Sequence, residues 1–366
     1  MSRINWHKTA LIVLAVMATV VFAPISSAAL VPYSQDFEAM TPGGGFPPDN
    51  DLSKDGWVVY ADVWFGSVGT GVFVYNYGPF GAPDDTGGFS AIAGGEGDVN
   101  QGAQYLVTYS DYNNPDQTAG GSCGSSGCII NTSVFQERNI DAGDIGSVWA
   151  LTFDAKSPLT GGISDAAIDN LDNYLEYPTS ASAFIKTLDP SSGYNTTNDI
   201  RVDMTNISNT EWATFTISLD LSDPLLVGQI LQFGFNTVTT EYDNSGVYYD
   251  NISFSRVAEI DVKPGSFPNS INVGSRGKIP VAILTTAYFD AGTVDVSSIQ
   301  FGPGKAHPDH YALEDVDGDT DWDLILHFNT QEVGITCGDM EVTIAGQTID
   351  AVAFLGADSI NTVGCE

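Results

Sequence analysis

From Glu211 to Leu221 every second residue is apolar. Ala213, Phe215, Ile217, Leu219 and Leu221 alternate with Thr214, Thr216, Ser218 and Asp220. A period of two puts the sets on opposite sides of an extended chain, so this stretch can bury one face only as a strand. Leu151, Phe153 and Ala155 alternate likewise, as do Leu231, Phe233 and Phe235. Clusters of Gly, Asn, Asp and Pro separate such runs, and from Leu30 to Arg256 the pattern amounts to roughly a dozen short strands. Helical spacing occurs once, in Asp165 to Glu176, where Ile168, Leu171 and Leu175 follow a candidate cap at Ser164. The expected fold class is therefore all-β, a jelly-roll β-sandwich followed by a smaller β-sandwich.

The first 29 residues read differently. Arg3 and Lys8 precede an apolar run from Ala10 to Ala23, and Ser27-Ala28-Ala29 offers a small-residue cleavage site. This is the layout of a secretory signal peptide, and the run is short for a membrane span. We expect residues 1–29 to be cleaved and the remainder to be secreted, free in the medium or held at a cell surface, with no membrane insertion. Cleavage would leave 10 basic against 46 acidic side chains, a net charge near −36. Such a chain repels polyphosphates, so nucleic acid is excluded as a partner.

Four cysteines remain in a chain bound for an oxidising compartment. Cys123 and Cys128 bracket Gly-Ser-Ser-Gly, and Cys337 and Cys365 lie near the C-terminus. Of three possible connectivities, Cys123–Cys128 with Cys337–Cys365 keeps each bridge within one module.

The most specific chemistry is Asp315-Val-Asp-Gly-Asp-Thr-Asp-Trp-Asp323, with a carboxylate at every second position. Such crowding calls for a hard cation, and calcium takes six to eight oxygen ligands. Asp315, Asp317, Asp319, Asp321 and Asp323 are the candidate ligands, and calcium the expected cofactor. The loop is not an EF-hand, because Thr320 and Leu326 stand where the turn glycine and the bidentate glutamate would be.

Two other motifs carry less. Gly120-Gly-Ser-Cys-Gly124 matches a nucleophile elbow in letters only, since it sits in a Gly/Ser-rich loop far from any histidine. His307-Pro-Asp-His310 could begin a zinc site, but no further ligand stands at a recognisable spacing.

Gln35-Asp-Phe-Glu38 and Gly246-Val-Tyr-Tyr-Asp-Asn-Ile-Ser-Phe254 resemble the first and last strands of secreted bacterial jelly-roll modules of the carbohydrate-binding kind. The resemblance implies a structural calcium held by Glu38 and Asp250, with Asp36 beside them. The segments Ile260-Asp-Val-Lys-Pro-Gly-Ser266, Pro268-Asn-Ser-Ile-Asn272, Gly277 to Leu284, Glu314 to Asp319 and Asp323-Leu-Ile-Leu-His-Phe328 resemble a C-terminal β module that recurs in exported proteins of environmental bacteria. That likeness implies an accessory unit and no particular chemistry. The expected organisation is 1–29 signal peptide, 30–257 jelly-roll sandwich, and 258–366 calcium-binding accessory sandwich.

Aromatic residues supply the functional hint. Trp57, Val59, Ala61, Val63 and Phe65 share the face of one strand that reads as core, leaving Tyr60, Asp62 and Trp64 on a face expected to be polar. In the next strand Phe73, Tyr75 and Tyr77 share a face. Rings beside a carboxylate are how sugars are held, so Tyr60, Asp62, Trp64, Tyr75 and Tyr77 are the candidate ligand-binding residues. The expected function is calcium-stabilised, non-catalytic binding of an extracellular polysaccharide or cell-surface glycan. The alternatives are a structural or adhesive matrix protein, and a glycosidase or lyase on the same scaffold.

Overall fold

A computed structural model describes residues 30–43, 49–84, 88–110, 128–163, 179–240, 245–286, 289–350 and 352–365. The proposed leader, the Asp165–Glu176 helix and the Gly120–Gly124 motif lie outside the described residues. The fold is all-β. Strands β1 (Tyr33–Gln35), β2 (Val58–Phe65), β3 (Val72–Gly81), β4 (Ser90–Gly94), β5 (Gln104–Thr108) and β6 (Ile129–Asn139) are followed by β7 (Val148–Lys156), β8 (Ser180–Asp189), β9 (Asn195–Asp203), β10 (Ala213–Asp220), β11 (Ile230–Thr240) and β12 (Val247–Val257). One short helix, α1 (Asp51–Lys54), is capped by the Asn50 side chain, which accepts from the Ser53 amide.

These strands make two facing sheets. One runs β3-β2-β6-β11-β8-β9, six strands in all. The other runs β10-β7-β12, with β1 and β5 also on β12 and β4 on β5. The inward residues are those the alternation selects: Trp57, Val59, Ala61 and Val63 from β2 and its approach, Leu151 and Phe153 from β7, and Leu231, Phe233 and Phe235 from β11, all 0% exposed. Aromatic stacks tie the layers together. Phe235 lies 3.5 Å from Tyr249 and Phe233 4.2 Å from Phe254, measured between ring centroids.

The alternation fails where strands bulge. Phe65, expected inside, is exposed: it is the last residue of β2, one beyond the end of the β6 pairing at Trp64, while the extra residue of the β2–β3 slip, Val74, lies in β3. On β12 the sequence places Tyr248, Asp250, Ile252 and Phe254 on one face. The structure instead buries Tyr249, Ile252 and Phe254 in the core, because the β7–β12 register shifts between Asp250 and Ser253. One inserted residue reverses parity along the rest of a strand. Asn251 sits in this bulge with φ 47°.

The chain continues with β13 (Ile260–Val262), β14 (Ser270–Asn272), β15 (Lys278–Ile283), β16 (Val294–Phe301) and β17 (His310–Glu314), then β18 (Asp323–Asn329), β19 (Glu341–Thr348), β20 (Ala353–Ser359) and β21 (Asn361–Val363). Strands β13-β15-β18-β17 form a four-stranded sheet. Opposite it, β16 and β19 extend the β10-β7-β12 sheet through β20, which pairs in parallel with the end of β12 at Arg256 and Val257. The buried apolar residues fall into two clusters, one ending at Phe254 and the other beginning at Ala258. Cys337 is bonded to Cys365. Cys128 is also disulfide-bonded, and Cys123 lies outside the described residues.

The Cys337–Cys365 bridge spans 28 residues and ties the terminal strand back to the loop before β19. Closing a loop of that size should contribute about 3 kcal/mol. Denaturation of a Cys337→Ser, Cys365→Ser variant should show the second core unfolding earlier by that amount. An unmoved midpoint would show that the bridge constrains nothing.

Candidate binding face and cation sites

Because Phe233 and Phe235 point inward, Gln232, Gly234 and Asn236 point out from the middle of the six-stranded sheet. Register extends this outer face across the neighbouring strands. Tyr60, Ser133, Asn236, Ser182 and Asp203 stand opposite one another on β2, β6, β11, β8 and β9. Asp62 stands opposite Asn131, one row along.

The row of polar groups is wired together. Asp62 Oδ1 accepts from Asn131 Nδ2 at 2.7 Å, and its other oxygen accepts from the Trp64 indole. Asn131 Oδ1 accepts from Asn236 Nδ2 at 2.7 Å. Asn236 Oδ1 accepts from the Arg201 guanidinium at 3.2 Å, which also donates to Asp199 at 2.8 Å. Every link is fixed by its neighbours: Asn236, 5% exposed, is buried at the middle of the row and sets the positions of Asn131 and of the exposed Arg201.

Apolar surface borders this chain. Trp64 is half-buried and meets Phe73 edge-on at 5.6 Å, and Tyr60 is 37% exposed. Burial, with Asp62 adding to it, pushes the Tyr60 phenol above its ordinary pKa, so it keeps its proton. In the adjoining row Phe135 and Phe184 flank Gly234, but both are buried and add no open apolar surface. A Cβ on Gly234 would come within 2.6 Å of the Phe135 Cα, so only glycine admits the strand this close. The Lys186 ammonium lies 4.8 Å over the Phe184 ring, and the Arg201 guanidinium 5.5 Å over it. Burial, then the Arg201 charge, lowers the Lys186 pKa to about 8 against the pull of Asp199, Asp62 and Glu137.

Of the five sequence-selected ligand residues, Tyr60, Asp62 and Trp64 share this face. Tyr75 and Tyr77 do not. They stand opposite Val63 and Ala61 and pack against the core, with their hydroxyls 3.3 Å apart and Tyr77 against Phe89. The slip at Val63/Trp64 is the cause, since it parts Phe73 from the tyrosines and leaves Phe73 beside Trp64. Sequence reasoning missed Phe73, Asn131, Asn236 and Arg201. The parity of β11 pointed Asn236 outward, but cross-strand register alone places it beside Asn131.

Two clusters of oxygens suit a cation. In the loop between β17 and β18, Asp315, Asp317 and Asp323 bring ligand oxygens within 4.8 Å of one another. Asp323 is buried and oriented by the amides of Thr285 and Val316, both at 2.8 Å. Asp319 and Asp321 fall beside this trio. Asp321 Oδ1 is buried without a partner, and burial together with Asp319, Asp323 and Asp317 pushes its carboxyl up to about 6. Uncompensated like charges and an orphaned acceptor are what an all-oxygen cation site looks like before its ion is counted.

The second cluster lies at the β12 bulge. Asp250 Oδ2 and Gln101 Oε1 are buried without partners. Burial and the charges of Asp154, Asp36 and Glu38 push the Asp250 carboxyl up to about 7. Gln101 and Asn251 both donate to Asp154, at 2.7 and 2.8 Å. Glu38 is partly spent elsewhere, since its Oε1 accepts from the amides of Ala103 and Gln104. Among the described residues, Asp36, Glu38 and Asp250 do not converge as the Asp315 trio does. Gln101 and Asp154 are members that the sequence did not flag.

His310 and His327 stack at 4.1 Å across β17 and β18. Among the described residues no histidine joins a cluster of three metal-ligating groups.

No family model and no curated protein matches the sequence. Solved structures do match. The CBM22-1 xylan-binding domain of Paenibacillus barcinonensis Xyn10C is 8% identical, covers 63% of this chain and 97% of its own, and has a TM-score of 0.28. The Stig cyclase Fisc from Fischerella sp. TAU is 12% identical, with 62% and 98% covered and a TM-score of 0.31. The enzymatically active domain of tailspike protein 4 from bacteriophage CBA120 is 14% identical over 46% of this chain, with a TM-score of 0.28, and the match spans 18% of the tailspike chain. At such scores, what the face can do rests on its own side chains.

The stacked histidines make the second core acid-sensitive. Burial, then the charges of His310 and Lys278, lowers the His327 pKa. The unfolded chain therefore binds more protons at this position than the folded one, and stability rises with pH. The contribution is complete above the ordinary histidine value of about 6.5 and fades as pH falls through it. Wild type should lose more of its melting temperature between pH 7 and pH 5 than His327→Phe, which keeps the stack. Parallel pH profiles would show that protonation of His327 costs nothing.

Proposed function

We propose that the chain is a secreted, calcium-stabilised, non-catalytic glycan-binding protein that uses the outer face of its six-stranded sheet. The observation that carries this reading is the wired row Asp62–Asn131–Asn236–Arg201 bordered by Tyr60, Trp64 and Phe73. A sugar ring needs an apolar surface for its C–H face and fixed donors and acceptors for its hydroxyls. Preorganisation lowers what the protein must order on binding. The carboxylates of Asp62, Glu137 and Asp199 each accept from fixed indole, amide or guanidinium donors. Groups so engaged suit receiving hydroxyl protons in hydrogen bonds more than delivering a proton to a leaving group.

Residues 30–257 would carry the binding face, and 258–366 would serve as a calcium-binding accessory unit. Asp315, Asp317 and Asp323 would hold one ion, with Asp321 and Asp319 at its margin. Asp250, Gln101 and the acids around them would hold a second. A bound ion there neutralises the charge and fixes the loops on which the strands depend.

Retention on insoluble polysaccharides tests the binding face. Tyr60→Ala and Trp64→Ala should each weaken retention by more than about 1 kcal/mol, roughly fivefold, as truncation of a binding anchor does. Melting should shift little for Tyr60→Ala. Unchanged retention in both variants, or sugar released into the supernatant, would overturn the reading.

Calcium at a hundredfold excess over its dissociation constant should raise stability by about 2.7 kcal/mol per site. Asp317→Asn should remove the response of the second core, and Asp250→Asn that of the first. A melting temperature indifferent to both calcium and chelator would rule out both sites.

A further inference from the structure

Strand β17 is an edge. Among the described residues it pairs with β18 alone, and all five of its residues are exposed. Tyr311 and Leu313 stand opposite Leu326 and Leu324, which are buried, so their side chains belong to the inner face of the four-stranded sheet. They are nevertheless 60% and 49% exposed, because among the described residues no strand follows on that side. Instead they overhang a groove of about 950 Å³ whose other wall is β16, with Val294 and Val296, and the neighbouring Ile349, itself 71% exposed. The sandwich is thus open along one side, with apolar residues on both walls, the polar Asp295, Ser297, His307 and Asp309 interspersed with them, and a strand edge at its lip. Such an edge takes an added strand readily.

We propose that β17 of a second copy of this chain fills that opening, antiparallel about a two-fold axis at Ala312, making one continuous sheet of eight strands, four from each copy. The strand reads His-Tyr-Ala-Leu-Glu, and in this register it complements itself. His310 stands opposite Glu314 of the second copy, a donor opposite an acceptor. Tyr311 stands opposite Leu313 of the second copy, an aromatic–aliphatic pair of the kind that stabilises adjacent strands. Both apolar side chains of the incoming strand then point into the groove and cover the exposed wall.

The ends of β17 are complementary as well. At its start gather Lys278, His307, His310 and His327, three of the four histidines in the chain among them. At its finish stand Glu314 and the acidic loop. A two-fold axis brings the start of one strand to the finish of the other, twice. Asp309 also stands at the start, and it is already paired with Lys278. A parallel arrangement would instead set Glu314 and both acidic loops side by side.

Sedimentation of the intact chain at micromolar concentration tests this, with calcium present so that the acidic loop is loaded. Wild type should sediment as a dimer. Glu314→Lys places a lysine opposite His310 of the second copy, and His310→Glu places two glutamates together, so each variant alone should be at least tenfold weaker in self-association. An equimolar mixture of the two should recover the dimer, because every cross-copy pair in the mixed species is again acid against base. Both substitutions lie on exposed positions, and circular dichroism confirms that the variants fold. A monomeric wild type, variants that remain dimeric, or a mixture that stays monomeric would each overturn the proposal. A monomeric wild type that captures extended peptides along β17 would reassign the edge to a different partner.

Discussion

The stacking of Phe233 on Phe254 and of Phe235 on Tyr249 is the contact on which the arrangement depends. It joins β11, in the middle of one sheet, to β12, the strand that also receives β1, β5, β7 and β20. Fixing these rings inward fixes which residues of β11 point outward, and the hydrogen-bonded row through Asn236 follows. Through β20 the same strand carries the second unit, so one strand serves both cores. Burying rings of this size contributes several kcal/mol each, more than any surface contact in the molecule can.

The bulge in β12 converts that scaffold into chemistry. Without it Asp250 would share parity with Ile252 and Phe254, and a carboxylate would be directed into the aromatic core. The inserted residue turns Asp250 and Asn251 toward Asp154, Gln101 and the β1 loop, and leaves Asp250 Oδ2 buried and unanswered. An orphaned carboxylate in that position costs stability unless a proton or a cation answers it. The acidic loop before β18 makes the same compromise, with Asp323 held by two amides and Asp321 left with a bare oxygen. In a chain of formal charge −34, concentrating repulsion at two places lets divalent ions, if present, relieve it locally.

The outer face of the six-stranded sheet follows a different rule. Its rings are held by partners: Trp64 by Asp62 and Phe73, and Phe184 by Lys186 and Arg201. Among the described residues, the exposed apolar surface of the second unit at Tyr311 and Leu313 has no such partners and ends at a strand edge. The proposals for the two surfaces follow from that difference, a polar ligand with a flat apolar side for one and a strand for the other.

The sequence alone determined what a period-two pattern can determine. Ile279, Val281 and Ile283 had to face one way, as did Leu324, Leu326 and Phe328, and both sets line the second core. Spacing in Asp315 to Asp323 fixed a crowd of carboxylates in one short loop, which repel whatever the fold. The pairing of Cys337 with Cys365 followed from their positions in the chain. Tertiary structure decided everything that depends on register. It put Tyr75 and Tyr77 on the core side and Phe73 beside Trp64 through one slip between β2 and β3, and left Phe65 exposed at the end of its strand. It chose Asp315, Asp317 and Asp323 from five alternating aspartates, and recruited Gln101, Asp154, Asn131, Asn236 and Arg201 from distant segments. The physical reason is that side-chain parity is local and survives only until a strand bulges. Which strands lie beside one another is set by burial summed over the whole sheet.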